Sequence, residues 1–268
     1  MKHRAGVFAA AIVTVSSGTA FAGGWTQDRG DYYAKLWGTT LFGDAAFGLD
    51  GASLPTDDFF LLSVSAYGEY GLFNDLTLVG FATPVGTAKL GASSIAHTGK
   101  LLGGVRYRFV DQTIQVAVEA RLGGAPGLGD TDLAPPDAGY VFVPTSRTLQ
   151  TELDLQLGFP LPFGWVAASV GPRAFSNAEL SHAIGGSLQV GGQFGQFVVD
   201  LHSTLNWTFQ ALEVVNVTGA TDTRYVGVGL GVSWWPAKRF GVHLGGDGAL
   251  YAASNAEALA IQLGVESR

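Results

Sequence analysis

Residues 148–159 read TLQTELDLQLGF, in which Leu149, Leu153, Leu155 and Leu157 alternate with Gln150, Glu152, Asp154 and Gln156. A period of two marks a β-strand, which sends successive side chains to opposite faces. One face here is leucine, and the other holds nothing that suits hydrocarbon. Two further segments repeat the pattern. In TIQVAVEARL, Ile114, Val116, Val118 and Leu122 oppose Gln115, Glu119 and Arg121; in FVVDLHSTLNW, Phe197, Val199, Leu201 and Leu205 oppose Asp200, His202, Thr204 and Asn206. A sheet made of such strands needs apolar cover on one side and water or polar partners on the other.

From Gly30 onward, candidate strands fall at about 31–42, 58–70, 76–83, 100–109, 113–122, 148–158, 165–174, 180–191, 196–207, 223–234, 240–250 and 257–266. Their lengths approach the ~9–11 residues with which a tilted strand crosses a bilayer. The connections alternate in length. GLFND, VDQ, FPLPFG, GQFG and PAKR are short, whereas 43–57, 84–99, 123–147 and 210–222 are long; two on the long side, 176–179 and 252–256, are brief. Short periplasmic turns and longer outer loops are the rule in bacterial outer-membrane barrels. The expected fold is therefore all-β: a transmembrane antiparallel up-and-down β-barrel of about twelve strands, closed because lipid satisfies no open sheet edge. A secreted β-sandwich also alternates, but its strands are near ~5–6 residues and its turns are not short on one side only.

The first residues, MKHRAGVFAAAIVTVSSGTAFAGG, have a basic start, an apolar stretch from Ala5 to Val15 and an Ala20-Phe21-Ala22 cleavage site. This reads as a cleaved signal peptide over 1–22, leaving 23–268 as the barrel domain. The apolar stretch is shorter than the ~20 residues of a spanning helix. There is no cysteine, so neither disulfides nor a lipid-bearing cysteine hold the chain. Charged residues make up 14%, against ~25% in soluble proteins, and glycine reaches 39 of 268. A net charge of −7 with no basic cluster excludes a nucleic-acid partner.

Aromatic residues recur where a barrel places its interfacial belts. Tyr70, Phe73, Phe109, Phe159, Phe163, Phe194, Phe197, Trp234, Trp235 and Phe240 lie near the short turns; Phe42, Phe60, Phe175, Trp207 and Tyr251 lie at the other end. In YGEYGLFNDLTLVGF, Tyr67 and Glu69 share one face, which the alternation makes the lumen, and Tyr70 points to the membrane rim.

The pieces GGWTQDRGDYYAKL and YGEYGLFNDLTL carry a resemblance. Trp25, Gly30, Tyr33 and Leu36, then Tyr67, Glu69, Tyr70, Gly71 and Leu72, resemble the first strand and first periplasmic turn of a set of Gram-negative outer-membrane barrels described as transporters, akin to the phenol-degradation-pathway barrel proteins. The match covers roughly the first quarter of the mature chain. It implies residence in the bacterial outer membrane, outer-membrane lipid and the barrel-insertion machinery as partners, and passage of small solutes, hydrophobic ones included. It assigns no functional residue. Such barrels usually end in an aromatic residue read by the insertion machinery, whereas this chain ends LGVESR.

Chemistry beyond transport finds little support. Barrel hydrolases carry a His and a Ser two apart on one strand face; here His202 and Ser203 are adjacent and so point to opposite faces. His97, His182 and His243 show no pairing that suggests a metal. Asp130 and Asp132 could share a hard cation, yet their loop lacks regular ligand spacing. The YVFV piece, Tyr140–Val143, is oily for a loop and suits either the barrel mouth or an extended strand. The expectation is a chain with no enzyme activity and no cofactor.

Alternation places Lys35, Glu69, Arg106, Arg108, Glu119, Arg121, Glu152, Asp154, Asp200, Arg224 and Asp247 in the lumen, with oppositely charged neighbours across the strands at 100–109, 113–122 and 148–158 forming an ion-pair ladder. These five bases and six acids predict a narrow pore of low conductance and weak selectivity, constricted by loop 123–147. The competing reading is a structural or surface-interaction barrel with a plugged lumen.

Overall fold

A computed structural model describes residues 24–128, 132–135, 137–220 and 222–268; the signal-peptide expectation, Asp130 and Thr131 lie outside the described residues. The strands are β1 (Tyr32–Phe47), β2 (Ser53–Phe73), β3 (Leu76–Leu90), β4 (Ser93–His97), β5 (Leu101–Asp111), β6 (Gln115–Ala125) and β7 (Thr148–Leu161) in the first half. The second half holds β8 (Gly164–Phe175), β9 (Ala183–Phe194), β10 (Phe197–Thr208), β11 (Arg224–Ala237), β12 (Phe240–Ala253), β13 (Asn255–Ala256) and β14 (Leu259–Ser267). Each long strand pairs antiparallel with its neighbours in sequence, β4 and β13 being short additions, and the pairing of β1 with both β2 and β14 closes a twelve-stranded barrel. The last strand is regular: Leu259–Ser267 is bonded on one side to β1 and on the other to β12.

The barrel is inside out relative to a water-soluble protein. On β7, Leu149 is 65% exposed while its neighbour Gln150 is 2% exposed, and Leu153, Leu155 and Leu157 stand outside as Glu152, Asp154 and Gln156 lie buried inside. A continuous apolar exterior over a polar, hydrogen-bonded interior is what lipid selects, because the backbone ladder satisfies itself and hydrocarbon covers the outer face.

The strands outrun their sequence limits at the long-loop end. β1 and β2 continue to a tight turn at 48–52, where Asp50 Oδ1 accepts the Ala52 N–H at 2.9 Å. β3 runs through Pro84 and turns back as β4, a hairpin that proline appeared to forbid. A register shift between Val64 and Ala66 puts Pro84 in a bulge, where its missing N–H interrupts no ladder bond.

The same end is capped from within. Phe142 and Val217, both fully buried, pack with Tyr140, Val215, Phe59, Leu90, Ala46, Ala88 and Ala256. The two long loops meet there as a parallel bridge of Val141 with Asn216, and the Val141 N–H donates to Val215 O at 2.7 Å. Of the two placements open to YVFV, the chain takes the barrel mouth. Burying these side chains against strand ends stabilises the loops as ~25 cal/mol per Å² of apolar surface removed from water.

Of the short-turn belt, Tyr70, Phe73, Phe109, Phe159, Phe163, Phe194, Phe197, Trp234 and Phe240 are exposed on the outside. Trp235 does not join them. Being next to Trp234, it has the opposite phase and is buried inside the barrel, 8% exposed.

Candidate functional site

Opposite charges meet along the inner face of β2, β5, β6, β7 and β8. The Arg106 guanidinium lies 2.9 Å from Glu69 Oε1 and 2.7 Å from Glu119 Oε2. Arg121 bridges Glu119 (3.1 Å), Glu152 (2.6 Å) and Asp154 (3.0 Å). Arg173, on β8, completes the series with contacts to Asp154 at 2.8 Å and Glu152 at 3.5 Å. Register brings them together: Arg106 faces Glu119, Arg121 faces Glu152, and Glu152 faces Arg173 across consecutive ladders. Tyr67 O–H adds a bond to Glu69 at 2.5 Å. Glu69, Arg106, Glu119, Glu152 and Asp154 are all at least nine-tenths buried, so each charge depends on its partners.

The opposite wall carries a second cluster. His202 Nδ1 is 2.9 Å from Asp200 Oδ1, and its Nε2 is 2.5 Å from Asp247 Oδ1. Gln262 Nε2 donates to Asp247 Oδ2 at 2.5 Å. Nearby, Ser233 Oγ sits 3.0 Å from His243 Nδ1 and donates to Glu266 Oε1 at 3.2 Å, and Lys35 Nζ is 3.6 Å from Glu266. Three side chains lean across β11 because its inward positions 229 and 231 are glycine: a Cβ on Gly229 would lie 2.4 Å from both Asp247 Oδ1 and His202 Nε2, and one on Gly231 would lie 2.4 Å from Asp200. Ser203 donates to Gly227 O at 2.8 Å, a backbone bond that keeps its hydroxyl away from the imidazole.

Of the expected lumen set, Arg108 sits at the edge of the inner wall, in phase with Arg106, and Arg224 outside it. Arg108 lies at the short-turn end, bridging Asp75 and Asp111 at 3.1 Å each, both carboxylates more than half exposed. Arg224 corrects the lumen assignment outright. The inward series of β11 is Tyr225, Gly227, Gly229, Gly231, Ser233 and Trp235, which puts Arg224 in phase with the outward Leu230 and Trp234; its guanidinium stacks 5.3 Å from the Trp207 ring centroid. That is how a rim arginine reaches polar surroundings from an apolar face. Arg173, Lys100, His243 and Glu266 were missed. Glu266 is legible from the period of LAIQLGVES, whereas Arg173 follows Pro172 and Lys100 lies just before β5, positions where a strand's phase is hard to read. In the candidate cation loop, Asp132 Oδ1 is already taken by the N–H groups of Ala134 (2.8 Å) and Phe142 (3.3 Å).

The segment ahead of β1 folds into the short-turn end. Gln27 N–H donates to Thr77 Oγ1 at 2.8 Å and its side chain to Glu69 Oε2 at 2.6 Å, while Trp25 O accepts from Arg106 at 3.0 Å. Thr26 and Arg29 bond Asn74 in the β2–β3 turn. The Trp25 ring lies flat on Gly158, where any Cβ would come within 2.7 Å of it. Residues 24–29 thus cross the ion-paired wall and fill that half of the opening.

Among the described residues, two chambers lie inside the barrel. Toward the short turns, about 270 Å³ is lined by Tyr33, Trp37, Tyr67, Trp165 and Trp235 with Lys35, Asp200 and Glu266. Toward the long loops, about 500 Å³ is lined by Lys100, Arg121, Glu152, Arg173, hydroxyls, amides and loop residues 144–146.

No family model and no curated protein matches the chain. Its fold is similar to that of the COG4313 outer membrane channel from Pseudomonas putida F1, at 12% identity over 93% of this chain and 99% of that one, with a TM-score of 0.67. The chain has the fold of an outer-membrane β-barrel. The translocator domain of the autotransporter NalP from Neisseria meningitidis is also similar, at 12% identity over 90% and 89% of the two chains and a TM-score of 0.51. At such identities the likeness establishes the architecture of the outer-membrane barrel and not its cargo.

Proposed function

We propose that this outer-membrane barrel is a channel giving small solutes passive or facilitated passage, with the short turns in the periplasm and the long loops at the cell surface. The observation that carries it is the pair of chambers, about 270 Å³ with aromatic and charged walls and about 500 Å³ with mixed walls, stacked inside a closed barrel. On this reading Lys35, Glu69, Arg106, Glu119, Arg121, Glu152, Asp154, Asp200 and Asp247 are wall rather than catalytic residues, and the ion pairs keep the lumen open against collapse. A likeness in fold to an outer membrane channel supports the reading.

A second reading has its own observation. Residues 24–29 occupy one mouth and the Phe142–Val217 core the other, which suits a structural barrel whose loops do the work. Solute flux separates the two. Liposomes holding the refolded mature chain should leak small sugars and aromatic acids faster than empty ones; tight vesicles overturn the channel and leave the plugged barrel.

A further inference from the structure

We infer that the chamber beneath the long loops is a binding station for small hydroxylated carboxylates, with Lys100 as its charged contact. The inference rests on the channel reading for its purpose, though not for its geometry. Lys100 precedes β5 in phase with the inward Leu102 and Arg106, and its backbone is fixed by the Thr83 N–H, which donates to Lys100 O at 2.8 Å. The side chain is exposed, and the space it is exposed to is the chamber.

Within the chamber Arg121 and Arg173 are matched by Glu152 and Asp154, while the wall's excess acid, Glu69 and Glu119 around Arg106, lies toward the short turns. Glu152 is the acid of the lining, and both of its oxygens are engaged: Oε2 by Arg121 at 2.6 Å, Oε1 by Gln150 and by Arg173 at 3.5 Å. Asp154 joins the same two arginines from behind. Among the described residues Lys100 has no carboxylate within ion-pair distance, so the surplus positive charge of the chamber rests on one ammonium. A cation left without a counter-ion in a recess bounded by low-dielectric walls attracts an anion more strongly than the same group on an open surface.

The remaining lining names the rest of the ligand. Ser146, Thr204, Asn206 and Tyr225 offer hydroxyls and an amide, beside the apolar faces of Phe81 and Phe175. The volume falls within the range of small-molecule sites. A carboxylate on Lys100 and hydroxyls against these groups describe a sugar acid or hydroxy acid. The charges that sum to near balance along the whole lumen are therefore unevenly placed, and the loop-side chamber favours anions.

Gluconate is the probe and sorbitol its uncharged counterpart. Calorimetric titration of the full mature barrel in detergent, at low ionic strength, should show saturable gluconate binding and none of sorbitol. Lys100→Gln should weaken binding about tenfold or more and Lys100→Arg should retain it, since one charge-assisted contact is at stake. Heat-modifiable mobility on gels shows that each variant is folded. Absent binding, or binding that Lys100→Gln leaves unchanged, overturns the site. Liposome flux keeps the two readings apart: a barrel that binds gluconate through Lys100 but leaks nothing sinks the channel and leaves the site, whereas one that passes sorbitol freely yet ignores Lys100 does the reverse.

Discussion

Arg106 is the residue on which the interior charge most depends. Replacing it with Met leaves Glu69 and Glu119 buried without their shared cation, which is expected to cost about 3–5 kcal/mol. Arg108→Met, which loses exposed Asp75 and Asp111 together with bonds to the Asn74 carbonyl and Gln115 but strands no buried carboxylate, should cost less, about 1–2 kcal/mol. Urea-refolding midpoints of the two variants measure the difference, and equal shifts would refute the buried ladder. Asp222, in the loop between β10 and β11, gives a pH test. Its burial and Glu213 raise its carboxyl above the ordinary value, although the Ser181 N–H bond at 2.8 Å pulls the other way. Because the folded value exceeds the unfolded one, the packed loop is favoured below the ordinary carboxylate pKa and loses that share as pH rises through the shifted value. Asp222→Asn keeps the acceptor and removes the titration. Amide protection of 209–223, corrected for intrinsic exchange, should then lose its acid-side gain.

At the scale of strands, alternation foretold what geometry delivered wherever both faces were chemically distinct. β7 is the best case, leucines against acids and amides. Leu155→Arg should therefore cost about 2–4 kcal/mol and Gln156→Arg much less, a contrast that refolding in lipid measures directly. β11 is harder, since valine opposes glycine and neither names its face, so alternation there carries Arg224 to the lumen although its phase is that of outward Val226 and Leu230. Trp235 is the reverse case, an aromatic counted for the belt by type. The β3–β4 hairpin was hidden because proline ends most strands, and only the register shift at Val64 shows why this one continues. The segment before β1 could not be read at all from local pattern: its place is set by Thr77, Glu69 and Arg106, some 40 to 80 residues away. Trp25→Ala should loosen it from Gly158 and raise conductance in planar bilayers; an unchanged current would mean that the segment is no constriction.

For the molecule as a whole, both mouths are partly filled, so the intact barrel should conduct weakly. Phe142→Ser removes the centre of the apolar cap, and larger single-channel steps should follow if that cap obstructs the path. The uneven height of the wall has a different consequence. β2 has 21 residues, which at ~3.3 Å each and a tilt of ~40° rises on the order of 50 Å, about twice the ~25 Å apolar band. β14, with 9, rises about 23 Å by the same measure and barely matches the band. On the side of β1 to β4 the barrel therefore stands taller, like a half-chimney, and with the long loops at the cell surface, as proposed, its entrance would open sideways through the sugar-coated layer there. A solute arriving from outside would meet protein well before it meets membrane, and would meet it from one direction.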